Sequence, residues 1–258
     1  MPHIRIAKYF LTLLSVLFLF HSNIRAAEKD TTFNAGEIME FQVKWSFIPA
    51  GTFFLEVLPI EEIEGVEALH FVCTARTNKY VDLIYKVRDR MDSYAKADMS
   101  HAILYKRQHL GERKKEVTIT FDWEAEEVQY SNFGEKMDPI SILPGTFDPL
   151  SVFYFFRLHD LDRVIEIKVP VTDGKKCVIG IARVVKKETI RVANQTYDTY
   201  LVEPEMEEIG GVFKKSKNAK LQIWVTADPR HIPVRIKSEV SVGSFIAELV
   251  TFVDGFNN

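Results

Sequence analysis

The sequence predicts a mainly β protein in which one strongly curved antiparallel sheet, half-barrel or barrel-like, wraps one buried helix and carries a short second helix. About ten segments alternate apolar and polar residues with a period of two, as strands that bury one face do, and turn-forming residues separate many of them. The composition, with 47% hydrophobic and 27% charged residues, is that of a globular domain with a substantial core.

The first 26 residues have the features of a secretory signal peptide. Arg5 and Lys8 precede an apolar run over 9–20, and a polar stretch leads to Ala26 and Ala27. The run is shorter than the roughly 20 residues that cross a bilayer, so a retained membrane anchor is the less favoured alternative. We therefore expect cleavage after Ala26 or Ala27, a periplasmic location, and a single β-rich domain over residues 27–258.

Charge argues against nucleic acid as a partner. Loss of residues 1–26 removes Arg5, Lys8 and Arg25 and no acidic residue, so 33 Lys+Arg become 30 against 36 Asp+Glu, a net charge of 30 − 36 = −6. A general nucleic-acid binder would be basic. No later segment approaches the apolar length of a membrane span, so we expect a soluble exported protein.

The strand pattern is clearest at 39–45, 116–123, 165–171 and 234–242, which we interpret as half-buried antiparallel strands. Hairpin turns are predicted at Pro49-Ala50-Gly51, where proline supplies the fixed φ of a turn, and at Asp173-Gly174. A Pro- and Gly-containing stretch over 131–148 is long enough to form a lid. The charged stretch over 204–220 is expected to be a loop.

The predicted main helix begins after Asp148-Pro149, because aspartate can cap a helix and proline suits its first position. Residues 150–157 are apolar almost all round, so we expect this helix to be buried in the concave side of the sheet. A shorter helix is predicted over 78–85.

Cys73 and Cys177 are the two cysteines of the chain. An oxidising compartment would allow them to form a disulfide that closes a long loop. Two separate small thiols in the core of a sheet are the favoured alternative.

The candidate ligand-binding residues combine a polar strand face with aromatic residues. A strand that begins at Lys86 places Arg88 and Arg90 on one face, where guanidinium groups could bind a phosphate or carboxylate at the mouth of a cavity. The plainer interpretation of the arginines is a solvated strand face whose charges pair with neighbouring strands. The plainer interpretation of the aromatic residues is ordinary core rather than the lining of a pocket. The candidates are Trp45, Arg88, Arg90, Asp92, Tyr94, Phe153, Trp224 and Arg235.

The sequence contains no motif for catalysis. It lacks HExxH, Cys-x-x-Cys and G-x-S-x-G, so it predicts no metal, no cofactor and no named catalytic residue. A hydrolase that acts on polysaccharide or peptidoglycan would need two carboxylates across a cleft, for which Asp89, Asp92 and Glu248 are the candidates.

Four groups of short motifs extend along nearly the whole exported chain. They are Gly36-Glu37, Phe41-x-Val43-x-Trp45, Ile48-Pro49-Ala50-Gly51 and Leu55-Glu56-Val57; Asp82-x-x-Tyr85-x-Val87-x-Asp89-x-x-Asp92-Ser93-Tyr94; Asp148-Pro149-Leu150-Ser151, Phe153-Tyr154 and Arg157; and Ile223-Trp224-x-Thr226-x-Asp228, Arg230, Ile232-Pro233-Val234, Gly243-Ser244 and Glu248-Leu249. Together these motifs resemble the domain-of-unknown-function family 3108 of bacterial exported proteins. The resemblance implies a secreted or periplasmic, β-rich protein and transfers no catalytic residue.

These observations leave three hypotheses for function. The favoured one is a non-enzymatic periplasmic binder or carrier of an apolar or lipid-like envelope ligand, such as a lipid or glycolipid, because amphipathic strands, aromatic residues and a lid fit an apolar pocket. The second is a structural or assembly partner in an outer-membrane or secretion complex, which would expose an apolar patch instead. The third is the hydrolase.

Overall fold

The computed structural model describes residues 33–111, 114–205, 220–240 and 243–255, and the predicted signal peptide lies outside them. Within these ranges the chain forms one antiparallel sheet of 15 strands. The strands are β1 Glu37–Trp45, β2 Ile48–Ile63, β3 Val66–Thr77, β4 Arg88–Lys96, β5 Ala102–His109, β6 Lys115–Asp122, β7 Glu127–Asn132, β8 Glu135–Lys136, β9 Ile140–Ser141, β10 Glu166–Thr172, β11 Cys177–Val192, β12 Gln195–Pro204, β13 Lys220–Thr226, β14 Pro233–Val240 and β15 Gly243–Asp254.

The sheet is a meander in which the first and last strands meet. Its order is β10-β11-β12-β13-β14-β15-β1-β2-β3-β4-β5-β6-β7-β8, with β9 beside β7. The pairing of β1 with β15 joins the first and last described strands in one ladder. Over the described residues the order runs from β10 to β8 without closing. The prediction of a mainly β protein with one antiparallel sheet is therefore confirmed.

A short segment bridges the open side of the sheet. Phe147 forms a parallel bridge with Val171 of β10, donating to the Pro170 carbonyl at 2.9 Å. The neighbouring Thr146 carbonyl accepts the Ala102 amide of β5 at 3.0 Å. The stretch predicted as a lid is therefore fixed by backbone hydrogen bonds at its C-terminal end, where it links β10 to β5.

The predicted count of about ten strands is wrong, because alternation is lost where strands are long, bulged or very short. The register of β2 against β3 shifts between Leu58 and Glu61, and that of β11 against β12 shifts between Val184 and Lys186. A bulge adds one residue to a strand, so the residues that face the core change from odd to even positions or the reverse. A bulged strand therefore shows no single period of two along its whole length. The two-residue strands β8 and β9 are too short to show any period.

The predicted buried helix is also wrong in extent and burial. The helix, α1, spans Ser151–Phe156, and only Ser151 and Tyr154 are buried. The other apolar residues are half-buried because they border a cavity, described below, rather than filled core. The shorter helix expected over 78–85 is a single 3-10 turn at Val81–Leu83.

Two polar anchors hold α1 against the sheet. The Asp148 carboxylate accepts the backbone amides of Leu150 at 2.8 Å and Ser151 at 3.1 Å, so aspartate does bind the first helical turn as predicted. It also accepts the Ser93 hydroxyl of β4 at 2.6 Å. At the other end, the Arg157 guanidinium donates to both carboxylate oxygens of Glu37 in β1, at 2.6 and 2.9 Å.

Stacked aromatic rings fill the core between these anchors. Tyr154 of α1 stacks on Phe71 of β3 with ring centroids 4.0 Å apart, and Phe33 packs edge-on against both rings. Such contacts add to the apolar area that the rings already bury. One face of the sheet and one side of α1 thus form a continuous core.

Candidate functional site

An apolar cavity of about 360 Å³ lies between α1 and strands β10 to β13. Its volume falls within the range of about 300–1,000 Å³ that is usual for small-molecule sites. Aliphatic and aromatic side chains form nearly all of its wall, which makes it a site for an apolar group. They are Pro149, Val152, Phe153, Phe155, Phe156, Ile167, Val169, Val171, Val178, Ile179, Ile181, Ala182, Val202, Leu221, Ile223 and Val225.

Strand alternation accounts for the part of the wall that β13 forms. On β13, Leu221, Ile223 and Val225 point to the cavity, whereas Trp224 between them belongs to the opposite face. Gly180 of β11 lies opposite Val169, and a Cβ placed there would lie 3.0 Å from the side chain of Val171. Glycine at this position lets the β10 side chains pack closely against the β11 backbone.

Four charged residues also line the cavity, and all of them except Arg157 are partly exposed to solvent. Asp173 and Lys176 of the β10–β11 turn and Glu205 after β12 form this charged border, and Arg183 forms an ion pair with Glu205. The guanidinium of Arg157 also borders the cavity but is bound to Glu37 and donates to the Arg230 carbonyl at 3.1 Å. An apolar chain with one polar end would therefore find matching surroundings for both of its parts.

The arginine ladder of β4 lies on the other face of the sheet. Ser93 points into the core, so the alternate residues Arg88, Arg90, Asp92 and Tyr94 face outward. With residues of β1, β2, β3 and β5, the two arginines border an open outer groove of about 630 Å³. They do not line the apolar cavity, and binding of a head group by them stays a prediction.

Both ladder arginines already have carboxylate partners. Arg88 donates to Asp82 at 2.6 and 3.1 Å, and this hydrogen bond, with one from Thr77, lowers the pKa of Asp82. Arg90 donates to Asp92 at 2.6 and 2.8 Å. Burial alone would raise the pKa of Asp92, but the hydrogen bonds from Arg90 and His70 outweigh it and lower that pKa.

Among the remaining candidates, the structure places Phe153 at the apolar cavity and the others elsewhere. Each of the others has a partner in the sheet. Tyr94 stacks on His70 at 4.2 Å, Trp45 stacks on Phe245 at 6.3 Å, Trp224 donates to Glu188 at 2.9 Å, and Arg235 donates to Glu248 and to the Arg191 carbonyl, both at 2.7 Å.

The carboxylates considered for hydrolysis do not share a cleft. Asp89 and Asp92 point to opposite faces of β4, as odd and even residues of one strand do. Asp89 binds His109 and accepts Arg107 at 2.7 Å, whereas Glu248 of β15 accepts Lys44 at 2.9 Å. Each carboxylate is thus bound to cationic or imidazole groups in a different place.

Cys73 does not have the surroundings of a nucleophile. Both Cys73 and Cys177 are free thiols in the structure. Burial, assisted by the negative charge of Asp89, raises the pKa of Cys73 to about 12, so the reactive thiolate is disfavoured. Cys177 lies 3.6 Å from the Thr146 hydroxyl.

Two further features concern the described ranges alone. Within them, no three His, Cys, Asp or Glu side chains come together in a way that could hold a metal ion. No helix among the same residues has the length and apolar character needed to span a bilayer.

Sequence reasoning missed most of the cavity wall. The alternation at 165–171 identified β10, but nothing in it distinguishes a strand that faces filled core from one that faces a void. The glycine within the apolar run at 177–182 was a usable signal, because glycine inside a strand marks a place where other groups approach the backbone.

Comparison with known proteins places the chain among proteins without an assigned function. The family model described as "Protein of unknown function (DUF3108)" matches residues 40–250. No curated protein matches the chain.

Two solved structures show different degrees of similarity to this chain. One is a β-barrel-like protein of the domain of unknown function DUF1849 from Brucella abortus, with a TM-score of 0.58 and 8% identity over 87% of this chain and 99% of that chain. The other is a candidate lipoprotein from Parabacteroides distasonis, with a TM-score of 0.33 and 10% identity over 86% of this chain and 98% of that chain. The first supports a barrel-like fold, and the second is too distant to carry an argument.

Proposed function

We propose, from the premise that this chain belongs to the DUF3108 family, that it is a non-enzymatic cell-envelope protein that carries an apolar or lipid-like ligand. The observation that carries this proposal is the cavity of about 360 Å³ between α1 and β10–β13, with its apolar wall and charged border. The leader-like sequence of residues 1–26 supports export to the periplasm as part of the same proposal.

The size and chemistry of the cavity favour one acyl chain over a bulky multi-chain lipid. The volume lies near the lower end of the range for small-molecule sites. Burial of a methylene group contributes about 0.8 kcal/mol, so affinity should rise about fourfold for each methylene added to a fatty acid. The rise should stop at the chain length that fills the cavity.

The first experiment is native mass spectrometry of the protein. It is expressed from its full sequence and purified gently in the form that results from processing in the cell. Solvent extraction then tests whether an added mass is lipid. A reproducible extractable lipid supports the carrier. An apo mass together with failure to bind a dansyl-labelled fatty acid overturns it and favours the assembly-partner hypothesis.

A pair of substitutions on one strand locates the site. Ala182→Phe places a ring in the cavity, whereas Val185→Phe adds a ring at an exposed position of the same strand. Binding of the dansyl-labelled fatty acid should fall at least tenfold in the first variant and remain unchanged in the second. Equal effects in both variants would place the ligand elsewhere.

A further inference from the structure

Apolar side chains protrude from the loops at one end of the sheet. Phe47 is 96% exposed, Leu83 is 86% exposed and Ile84 is 73% exposed. We call this set the apolar fringe; it consists of Phe47, Ile48, Tyr80, Leu83, Ile84 and Leu110.

The strand order brings these residues together. Ile48 is the first residue of β2, and the others lie in the connections β1–β2, β3–β4 and β5–β6. In an antiparallel meander these three connections lie at the same end of the sheet. Hydrogen bonds join the connections directly: the Asn78 amide donates to the Ala50 carbonyl at 2.9 Å, and the Leu110 amide donates to the Arg88 carbonyl at 2.8 Å. The fringe is thus one continuous edge of the molecule.

Exposed lysines accompany the fringe. Lys79 and Lys86 lie in the β3–β4 connection, and Lys114 and Lys115 lie at the start of β6. Among the residues that the structure describes, none of these four lysines forms an ion pair. The one acidic side chain of the β3–β4 connection, Asp82, is bound to Arg88. The connections that carry these lysines are therefore basic, although the chain as a whole is acidic.

The opposite end of the sheet has the opposite charge. The β2–β3 hairpin tip over 61–67 contains four glutamates and no cation. The β6–β7 tip over 122–127 contains four acidic residues and again no cation. The molecule thus has a charge asymmetry along the strands, and a negatively charged surface would orient it with the fringe foremost.

We propose that the apolar fringe docks the protein on an anionic lipid bilayer. Protruding aromatic and aliphatic side chains beside lysines are the arrangement that inserts into a membrane interface while cations contact acidic head groups. Side chains exposed on separate loop tips enter the disordered head-group region without a complementary partner surface. This proposal concerns a surface distinct from the cavity and does not depend on the ligand that the cavity holds.

The test is co-sedimentation with vesicles of two compositions. The protein is expressed from its full sequence and purified in the form that results from processing in the cell. Its N-terminus is determined by mass spectrometry. Vesicles contain either equal parts of phosphatidylglycerol and phosphatidylcholine or phosphatidylcholine alone. We expect binding to the anionic vesicles, with a decrease as salt shortens the screening length from about 10 Å at 0.1 M to about 3 Å at 1 M.

Matched variants assign the binding to the fringe. Ile84→Ser should weaken binding at least threefold, whereas Ile165→Ser, at a 77% exposed isoleucine before β10 at the opposite end, should leave it unchanged. Lys79→Gln with Lys86→Gln should weaken binding about fivefold for each lysine. The control with the same charge change is Lys96→Gln with Arg163→Gln at the acidic end.

Three outcomes overturn the proposal. They are equal binding to both vesicle types, equal effects of fringe and control variants, and crosslinking of the fringe to an envelope protein without vesicle binding. The Ala182→Phe variant distinguishes a failure of membrane docking from a failure of the carrier proposal. If the fringe binds lipid, that cavity variant should still sediment with anionic vesicles whether or not the cavity holds a ligand.

Discussion

Replacement of Arg157 by methionine should lower the free energy of unfolding by about 3–5 kcal/mol, because it leaves a buried carboxylate without its cation. The side chains of Arg157 and Glu37 are 0% and 1% exposed, and two hydrogen bonds of 2.6 and 2.9 Å join them. Methionine retains much of the apolar stem but none of the donors. For a domain of this size the loss corresponds to a fall in Tm of roughly 6–20 °C.

Urea unfolding followed by circular dichroism measures this loss, and Arg163→Met is its control. Arg163 pairs with Asp160 at 3.3 Å, but these side chains are 86% and 56% exposed, so the control should cost less than about 1 kcal/mol. Glu37→Met combined with Arg157→Met removes both charges and should recover most of the stability. A stability cost for Arg157→Met no greater than that for Arg163→Met would show that the buried ion pair does not stabilise the fold.

Three further predictions test the core. Burial raises the pKa of Asp148 above its usual 3.8, against hydrogen bonds that lower it. The folded state then holds this proton more tightly than the unfolded state, so the free energy of unfolding falls as pH rises above 3.8. Asp148→Asn should remove this fall from the free energies of unfolding measured with urea across that pH range. Cys73 and Cys177 should give two thiols with Ellman's reagent in denaturant without reductant, whereas native Cys73, with a pKa of about 12, should react slowly; no thiols in denaturant would mean a disulfide. Gly51→Ala should lower stability by about 1–3 kcal/mol in a thermal melt, because its Cβ would lie 2.1 Å from a backbone oxygen of β3; the stabilisation of about 0.4–1 kcal/mol that alanine gives at a roomy site would contradict the contact.

The fold class could be predicted because burial of one sheet face leaves a period of two in the sequence. Strands β1, β6, β10 and β14 all show it, and the turn residues at 173–174 fall between β10 and β11. The turn predicted at Pro49-Ala50-Gly51 is wrong, because these residues pair with β1 inside β2 and the chain turns at Ser46 and Phe47. Strand number could not be predicted, because bulges in β2 and β11 and the two-residue strands depend on long-range pairing. The helix after Asp148 was recognised from its capping chemistry, but its length and burial depend on the cavity beside it.

The candidate site was less predictable for a different reason. Arg88, Arg90 and Trp224 were selected by residue type, yet ion pairs and hydrogen bonds to neighbouring residues engage all three. The cavity wall is made of aliphatic and aromatic side chains that do not differ in type from core residues. Such a side chain borders a void only if α1 lies far enough from β10–β13. Local sequence does not predict that distance.

The direction of the strands connects the two proposed surfaces. The cavity border includes Asp173 and Glu205, which follow the ends of β10 and β12. The apolar fringe follows the ends of β1, β3 and β5, and all five of these strands run in the same direction in the antiparallel order. A bilayer bound at the fringe would therefore lie toward the end of the sheet that carries the charged border of the cavity. An apolar chain that left this border for the membrane would move away from the acidic hairpin tips, so the two proposals are geometrically compatible.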